Sequence, residues 1–161
     1  MVASCLNSPH ETGGQKWNSG LLSPALARAD EIMNEKKRFD DWIQGYLKAW
    51  KFNNAKDIEA LFTEDATYLT QAFREPWRGR ETIVKEWLGR ADWANEPQDQ
   101  WIFDYHWLAI ERDTGVLEGL TTYTGRDEIY TNIWTIRLDE DGRCRDFREY
   151  WIRKSDVQGA I

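Results

Sequence analysis

The spacing of hydrophobic residues changes once along the chain, from a helical period to a period of two. Between residues 32 and 52 apolar side chains recur at intervals of three and four, which predicts one buried stripe along a helix. This stripe consists of Phe39, Trp42, Ile43, Tyr46, Leu47 and Trp50. From Trp101 onward large apolar side chains occupy alternate positions, which is the pattern of β-strands. Helices followed by a run of strands predict an α+β domain, with the helices packed on one face of a curved antiparallel sheet.

Local start and stop signals divide the chain further. Residues 1–22 are rich in Ser, Asn and Gly and are expected to form a flexible tail before a single domain over 23–161. A serine followed by a proline predicts that the first helix begins at Ser23-Pro24, and Asn53-Asn54 is expected to end it. Shorter helices are expected over 55–62 and 80–91, and strands over 66–70, 101–109, 116–124, 128–138 and 143–154.

The charge and hydropathy of the chain exclude several classes of partner. The formal net charge is −7 and no basic cluster interrupts it, so we expect no nucleic-acid binding, which depends on phosphate contacts. No segment approaches the roughly 20 apolar residues of a membrane span, and we expect no membrane partner. The N-terminal residues lack the apolar run of a signal peptide, which makes the cytoplasm the expected location.

Metal-binding and nucleophilic residues are scarce. The only cysteines are Cys5 and Cys144, and the only histidines are His10 and His106, too few for a disulfide framework, a zinc site or a Ser-His-Asp triad. Strand alternation places His106 on the face opposite Trp107, which is the outer face if the tryptophan side chains point inward. We therefore expect neither a metal nor a cofactor.

Ten tryptophans are the unusual feature of the composition. Each has a large apolar body and one polar N–H group that needs a partner when it is buried. Such residues can fill a core or line a ligand cavity, and the sequence leaves both possibilities open.

Two segments resemble a known family. The run DIEALFTEDATY followed by GRETI, and the closing run LDEDGRCRDFREYW, are similar to the SnoaL-like branch of the NTF2-like superfamily, over residues 32 to 154. The resemblance implies a cone, in which a bent sheet wraps around three N-terminal helices and encloses a pocket. It also implies a homodimer formed through the outer face of the sheet. Members of this superfold include isomerases, dehydratases, cyclases, epoxide hydrolases and non-enzymatic proteins, so the fold alone does not define a function.

Glu149 is the first candidate catalytic residue. It lies between Phe147 and Trp151 on an apolar strand face, where burial would raise its pKa and suit it to general acid–base work. The resemblance adds that limonene-type epoxide hydrolases have a catalytic Asp at the corresponding place. The alternative is a structural role, in an ion pair with an arginine such as Arg153 or in a hydrogen bond to a buried aromatic residue.

Tyr68 and Tyr46 are the other two candidates, both through the resemblance. A Tyr matching Tyr68 holds the attacking water in those hydrolases. A Tyr sixteen residues before the position of Phe62, which here is Tyr46, donates to an oxyanion in ketosteroid-isomerase-like members. Either tyrosine could instead be an ordinary packed aromatic residue.

The chain also departs from the family patterns. Thr70 stands where isomerase-like members have their Asp base, and Trp134 replaces their second acid.

The sequence thus leaves two hypotheses about function. One is a small enzyme without metal or cofactor that acts on an apolar small molecule by hydrolysis, dehydration, isomerisation or cyclisation. The other is a non-catalytic ligand-binding or dimerisation domain whose aromatic residues fill the interior. In the enzyme, the expected substrate-binding residues are Trp42, Trp101, Trp107, Tyr123, Trp134 and Trp151.

Overall fold

A computed structural model of the chain describes residues 23–90, 101–125 and 128–157. The helices are α1 (Pro24–Phe52), α2 (Ala55–Leu61), α3 (Arg80–Leu88) and a short α4 (Lys154–Val157). The strands are β1 (Phe62–Leu69), β2 (Trp77–Arg78), β3 (Trp101–Glu111), β4 (Thr114–Tyr123), β5 (Glu128–Leu138) and β6 (Cys144–Arg153). The segment expected to be a tail, residues 1–22, lies outside the described residues.

The two ends of α1 are capped as its sequence predicts. Pro24 is the first helical residue, and the Ser23 hydroxyl accepts a hydrogen bond from the Ala25 backbone N–H. Asn53 adopts the left-handed conformation (φ 46°) that ends many helices, and its N–H donates to the carbonyl of Ala49. Only the second half of α1 is buried against the sheet, so the helix extends well past the core. No helix in the described part of the chain is long and apolar enough to cross a membrane.

The six strands form one curved sheet in the order β2-β1-β6-β5-β4-β3. Strands β3 to β6 form an antiparallel meander, as expected. The expectation of an all-antiparallel sheet is wrong at one place, because β1 pairs with β6 in parallel. Alternation of side chains indicates which face of a strand is buried, but it does not indicate the direction of the neighbouring strand.

Several boundaries also differ from those predicted. β1 begins at Phe62, directly after α2, rather than at residue 66. Residues 77–78 add a two-residue strand to a segment that was expected to be a loop, and α3 ends at Leu88. The final strand is followed by the short helix α4, for which the sequence has no clear periodicity.

The core lies between the inner face of the sheet and helices α1, α2 and α3. Phe147 on β6 is fully buried at its centre and contacts four other aromatic rings, with centroid distances of 4.7–5.3 Å. These rings belong to Trp42, Tyr46, Tyr68 and Trp134. Most pairs are edge-to-face, the arrangement that aromatic quadrupoles favour.

A glycine on β4 makes room for one of these aromatic layers. A Cβ atom on Gly119 would lie 2.5 Å from two atoms of the Phe103 ring, which stacks on Trp134 at 4.6 Å. We expect Gly119→Ala to lower the free energy of unfolding by about 1–3 kcal/mol, since Phe103 must leave its stacked position. Chemical denaturation measures this change, with Thr124→Ala in the exposed loop after β4 as the control. An unchanged midpoint in Gly119→Ala would show that the ring can shift at no cost.

Candidate active site

Glu149, Tyr46 and Tyr68 meet in the buried interior. The Tyr46 hydroxyl donates a hydrogen bond to Glu149 Oε1 at 3.0 Å, and its oxygen lies 2.9 Å from the Tyr68 hydroxyl. Both tyrosines are at most 2% exposed and Glu149 is 9% exposed. The structure therefore brings all three predicted catalytic candidates together in one hydrogen-bonded group.

Three different elements supply these side chains. Tyr46 belongs to the buried stripe of α1, and Glu149 and Tyr68 lie on the inner faces of β6 and β1. Tyr68 is paired in register with Phe147, two residues before Glu149, and Glu149 is paired with Trp134 on β5. The parallel pairing of β1 with β6 thus places Tyr68 close to the carboxyl group.

The proton count fixes the direction of the hydrogen bonds when Glu149 is ionised. A carboxylate only accepts hydrogen bonds, and a tyrosine hydroxyl has one proton to donate. Tyr46 gives its proton to Glu149, so Tyr68 must be the donor in the 2.9 Å contact between the two hydroxyls. A chain of this kind polarises each successive bond and strengthens it.

Burial raises the pKa of Glu149 to about 7. The hydrogen bond from Tyr46, the Tyr68 hydroxyl behind it and the positive charge of Arg90 oppose this rise by stabilising the carboxylate. The pKa of this carboxyl therefore lies near neutral pH. That is the condition in which one carboxyl can both accept and return a proton.

Burial, together with the negative charge of Glu149, also raises the pKa of Tyr46 well above its usual value of 10.0. The pKa of Tyr68 is raised for the same two leading reasons. Both phenols are therefore neutral donors near pH 7, which suits them to stabilise negative charge rather than to act as bases.

Glu149 and Tyr46 face a cavity of about 490 Å³ that opens at one end of the sheet. Its described aromatic lining consists of Tyr46, Trp50, Tyr123, Tyr130, Trp134 and Trp151. Its other described lining residues are polar or charged: Thr70, Gln71, Arg74, Thr121, Asn132, Arg90 and Glu149. Tyr68 does not line the described part of the cavity, and its hydroxyl is hydrogen-bonded to that of Tyr46.

Hydrogen bonds hold the polar part of the lining in place. Thr70 is central, because its hydroxyl accepts from the Arg90 guanidinium at 3.0 Å and its carbonyl accepts from Trp151 Nε1 at 3.2 Å. The Arg90 guanidinium also lies over the Trp77 ring, 4.5 Å from its centroid. Deeper along the wall, Asn132 Nδ2 donates to the Thr121 hydroxyl at 2.9 Å.

The six expected substrate-binding residues divide into two groups. Tyr123, Trp134 and Trp151 line the cavity. Trp42, Trp101 and Trp107 are not part of its described lining. Trp101 stacks on Trp50 at 4.3 Å, and Trp107 Nε1 donates to Asp40 on α1 at 2.8 Å.

Trp42 borders a separate groove of about 450 Å³ between α1, α2 and the β5–β6 turn. Its indole N–H donates to the carbonyl of Leu61 at 3.0 Å, which fixes the ring in the core. Two charged residues of this groove, Lys48 and Asp57, form an ion pair at 2.7 Å.

Sequence reasoning gave no role in binding to several residues of the cavity. Thr121 and Asn132 could have been identified, since each is a polar residue on the inner face two positions from an aromatic lining residue. Gln71, Arg74 and Arg90 lie beyond the ends of regular elements, where no periodicity indicates direction. His106 lies on the outer face as expected, with its side chain 65% exposed and 3.4 Å from Glu118.

Comparison with known families gives one match that spans most of the chain. The profile of the SnoaL-like domain matches residues 43–147, which include Tyr46 and Tyr68 and end two residues before Glu149. A search among curated proteins finds no significant match.

Solved structures share the fold at low sequence identity. An NTF2-like protein with a cystatin-like fold from Novosphingobium aromaticivorans is 16% identical with a TM-score of 0.59, over 83% of this chain and 92% of that one. A protein from Sphaerobacter thermophilus is 20% identical with a TM-score of 0.54, over 71% and 95%. A steroid delta-isomerase from Pseudomonas aeruginosa is 23% identical with a TM-score of 0.52, over 78% and 84%.

Proposed function

Since the chain belongs to the SnoaL-like domain family, we propose that it is a small enzyme that moves protons on a bound small molecule by general acid–base chemistry. The reactions open to it are isomerisation, dehydration, hydrolysis and cyclisation. One observation carries the proposal: a buried carboxyl with a pKa of about 7 receives a tyrosine hydrogen bond at the wall of a 490 Å³ cavity. A steroid delta-isomerase among the structural relatives is compatible with this chemistry.

Each residue of the group has a distinct proposed role. Glu149 takes a proton from the substrate and returns it at another atom, or gives it to a leaving group. Once Glu149 has taken up the substrate's proton, it no longer needs the hydrogen bond from Tyr46. The Tyr46 hydroxyl, which lines the cavity, then donates to the oxygen on which negative charge develops. Tyr68 is a positioning residue, because it holds the Tyr46 hydroxyl and has no contact with the described cavity.

The proposed chemistry needs space that a filled interior would not provide. Cavities that bind small molecules measure roughly 300–1,000 Å³, and this one lies within that range. A carboxyl buried to 9% exposure is costly for a purely structural protein, because its charged form loses hydration. Both points favour the hypothesis of an enzyme over that of a non-catalytic domain whose interior is filled by aromatic residues.

The outer face of the sheet is the proposed homodimer interface. It presents several exposed apolar side chains that a second copy of this chain would cover: Ile102, Leu108, Leu120, Tyr150 and Ile152, between 40% and 55% exposed. Glu149 and the cavity lie on the opposite face, so dimerisation of this kind would leave the site open.

A panel of small molecules tests the proposed function. The panel holds cyclic enones, epoxides, lactones and β-hydroxy ketones, each in a neutral form and a carboxylated form. NMR in deuterated buffer records product formation and exchange of carbon-bound protons between pH 5 and 9. We expect at least one class to react, with a rate that changes around pH 7 as Glu149 loses its proton. Tyr46→Phe is expected to lower that rate by roughly 10²-fold.

Tyr150→Phe is the matched control, since Tyr150 lies on the outer face of the same strand as Glu149. It is expected to react at the wild-type rate. Absence of both turnover and proton exchange across the whole panel would overturn the proposed function. So would a reaction that Tyr46→Phe and Tyr150→Phe catalyse equally well.

A further inference from the structure

Two uncharged polar residues line the cavity apart from the group formed by Glu149 and the two tyrosines. Thr121 lies on the inner face of β4 and Asn132 on the inner face of β5, and they are 3% and 7% exposed. Asn132 Nδ2 donates to the Thr121 hydroxyl at 2.9 Å. Polar groups at this depth are normally all hydrogen-bonded, so any capacity that the pair leaves unused is informative about a ligand.

This pair leaves one acceptor and one donor unused. Asn132 Nδ2 also lies 3.5 Å from the carbonyl oxygen of Tyr130, which can only accept, so the amide nitrogen points toward Thr121 and Tyr130. Asn132 Oδ1 has no hydrogen-bond partner in the described part of the chain, and it is not fully enclosed, so a molecule in the cavity can reach it. The Thr121 hydroxyl accepts from Asn132, and its own proton has no acceptor among the described residues.

The strand register places this pair at a short distance from the catalytic candidate. On β5 and β6, Asn132 is paired with Trp151 and Trp134 is paired with Glu149. Asn132 is therefore the diagonal neighbour of Glu149, at a backbone separation of roughly 7–8 Å. Thr121 lies one strand farther away, on β4. A single carbon ring spans the space between the carboxyl group and the polar pair.

We propose that the substrate is a cyclic molecule with a hydroxyl group, which binds Asn132 and Thr121 while the reacting carbon lies beside Glu149. A hydroxyl both donates and accepts, so it gives its proton to Asn132 Oδ1 and receives the proton of the Thr121 hydroxyl. This inference rests on the proposed function, because it names the class of molecule on which that site acts. It also modifies the expectation of a purely apolar ligand.

Other common functional groups satisfy only half of the pair. A ketone or a carboxylate only accepts, so its oxygen would face the Asn132 oxygen without a proton between them. An ammonium group only donates, and it would leave the Thr121 proton without an acceptor. A hydroxyl combines both functions in one atom, which suits two partners that are themselves hydrogen-bonded to each other. The ring that carries it would then lie against Trp134 and Trp151, the aromatic lining residues nearest to Asn132 in the sheet.

Binding of a matched probe pair tests this inference without any turnover. Isothermal titration calorimetry measures the dissociation constants of 6-hydroxy-1-tetralone and 6-methyl-1-tetralone, which differ only in one substituent of similar size. The titration is run at about pH 6, where a phenol keeps its proton. We expect the wild type to bind the hydroxyl probe at least about 10-fold more tightly than the methyl probe, because the methyl group leaves both polar partners unpaired.

Four variants assign this preference to the pair. Thr121→Val and Asn132→Leu are each expected to reduce the affinity ratio several-fold, since each removes one partner of the ligand hydroxyl. Thr121→Ser keeps a hydroxyl at the same place and should retain the ratio. Thr131→Val is the matched control, because Thr131 is exposed on the outer face of β5 next to Asn132 in the chain, and it should also retain the ratio.

The ratio separates recognition of the hydroxyl from a structural effect. A variant that merely distorts the cavity weakens both probes alike and leaves their ratio unchanged. Equal affinity for the two probes in the wild type, or a ratio that neither Thr121→Val nor Asn132→Leu alters, would overturn the inference. Failure of both probes to bind would overturn it as well.

The substrate panel tests the proposed function separately. Turnover in the panel without any preference for the hydroxyl probe would overturn this inference alone. A clear hydroxyl preference without turnover or proton exchange would overturn the catalytic proposal and leave Asn132 and Thr121 as a ligand-binding pair.

Discussion

Replacing Glu149 with glutamine is expected to lower the proposed rate of proton transfer by about 10²–10⁴-fold. The amide has nearly the same shape and still accepts the Tyr46 hydrogen bond, but it cannot take up a proton at neutral pH. The assay is the substrate panel in deuterated buffer. Glu64→Gln on β1, an exposed acid away from the cavity, is the matched control and should leave the rate unchanged. A Glu149→Gln protein with the wild-type rate would remove Glu149 from the mechanism.

The same substitution should change stability in a way that depends on pH. An ordinary glutamate has a pKa of 4.5, whereas the pKa of Glu149 in the folded protein is about 7. The folded state therefore binds the Glu149 proton more tightly than the unfolded state does. The stability that this group contributes is therefore present below pH 4.5 and is lost as the pH rises to 7. Glutamine does not titrate. Relative to the wild type, Glu149→Gln should gain roughly 2–4 kcal/mol of unfolding free energy between pH 4.5 and pH 8.

Urea denaturation at several pH values measures that gain. The difference between the two proteins should be small at acidic pH and largest above pH 7. A difference that does not vary with pH would mean that the Glu149 carboxyl has an ordinary pKa in the folded chain. Greater stability combined with lower activity is the pattern expected of a residue that is retained for chemistry.

The second large effect is expected at Phe147, the residue at the centre of the aromatic core. Phe147→Ala should lower the free energy of unfolding by about 3–5 kcal/mol, because it removes a fully buried ring and leaves a cavity. The rings of Tyr46 and Tyr68 lie 5.2 Å and 4.7 Å from it, so the hydrogen-bonded group should loosen as well. Proton-transfer activity is therefore expected to fall together with stability.

Phe73 provides the matched control for that change. It is fully exposed in the loop after β1, and Phe73→Ala should alter the unfolding free energy by no more than about 0.5 kcal/mol. Urea denaturation compares the two variants directly. A loss below about 1 kcal/mol in Phe147→Ala would show that the core repacks around the missing ring.

The sequence predicted the elements of the fold more fully than their pairing. The cap at Ser23-Pro24 and the period-two run over 128–138 located α1 and β5 at the boundaries seen in the structure. The parallel contact between β1 and β6 was not predictable from either strand, because it joins segments far apart in the chain.

The candidate site was likewise predictable only in part: the direction of a side chain could be predicted, but its contacts could not. The inward direction of Glu149 follows from Phe147 and Trp151 on either side of it, so alternation alone identified a buried carboxyl. Tyr46 became a candidate only through the family resemblance, and its hydrogen bond to Glu149 was not predicted. Trp101 and Trp107 were correctly assigned to the inner face of β3, but this is an edge strand, and they pack on α1 instead of lining the cavity.

The position of β6 in the sheet affects how the protein matures. It is synthesised after every other described strand, yet it lies between β1 and β5 in the middle of the sheet. Until it inserts, both of these neighbours present unpaired edges that can join other nascent chains. Glu149 belongs to this strand, so the proposed catalytic carboxyl reaches its position only when β6 completes the sheet. Recovery of activity during refolding would therefore mark the closing step of assembly rather than the early collapse of the helices.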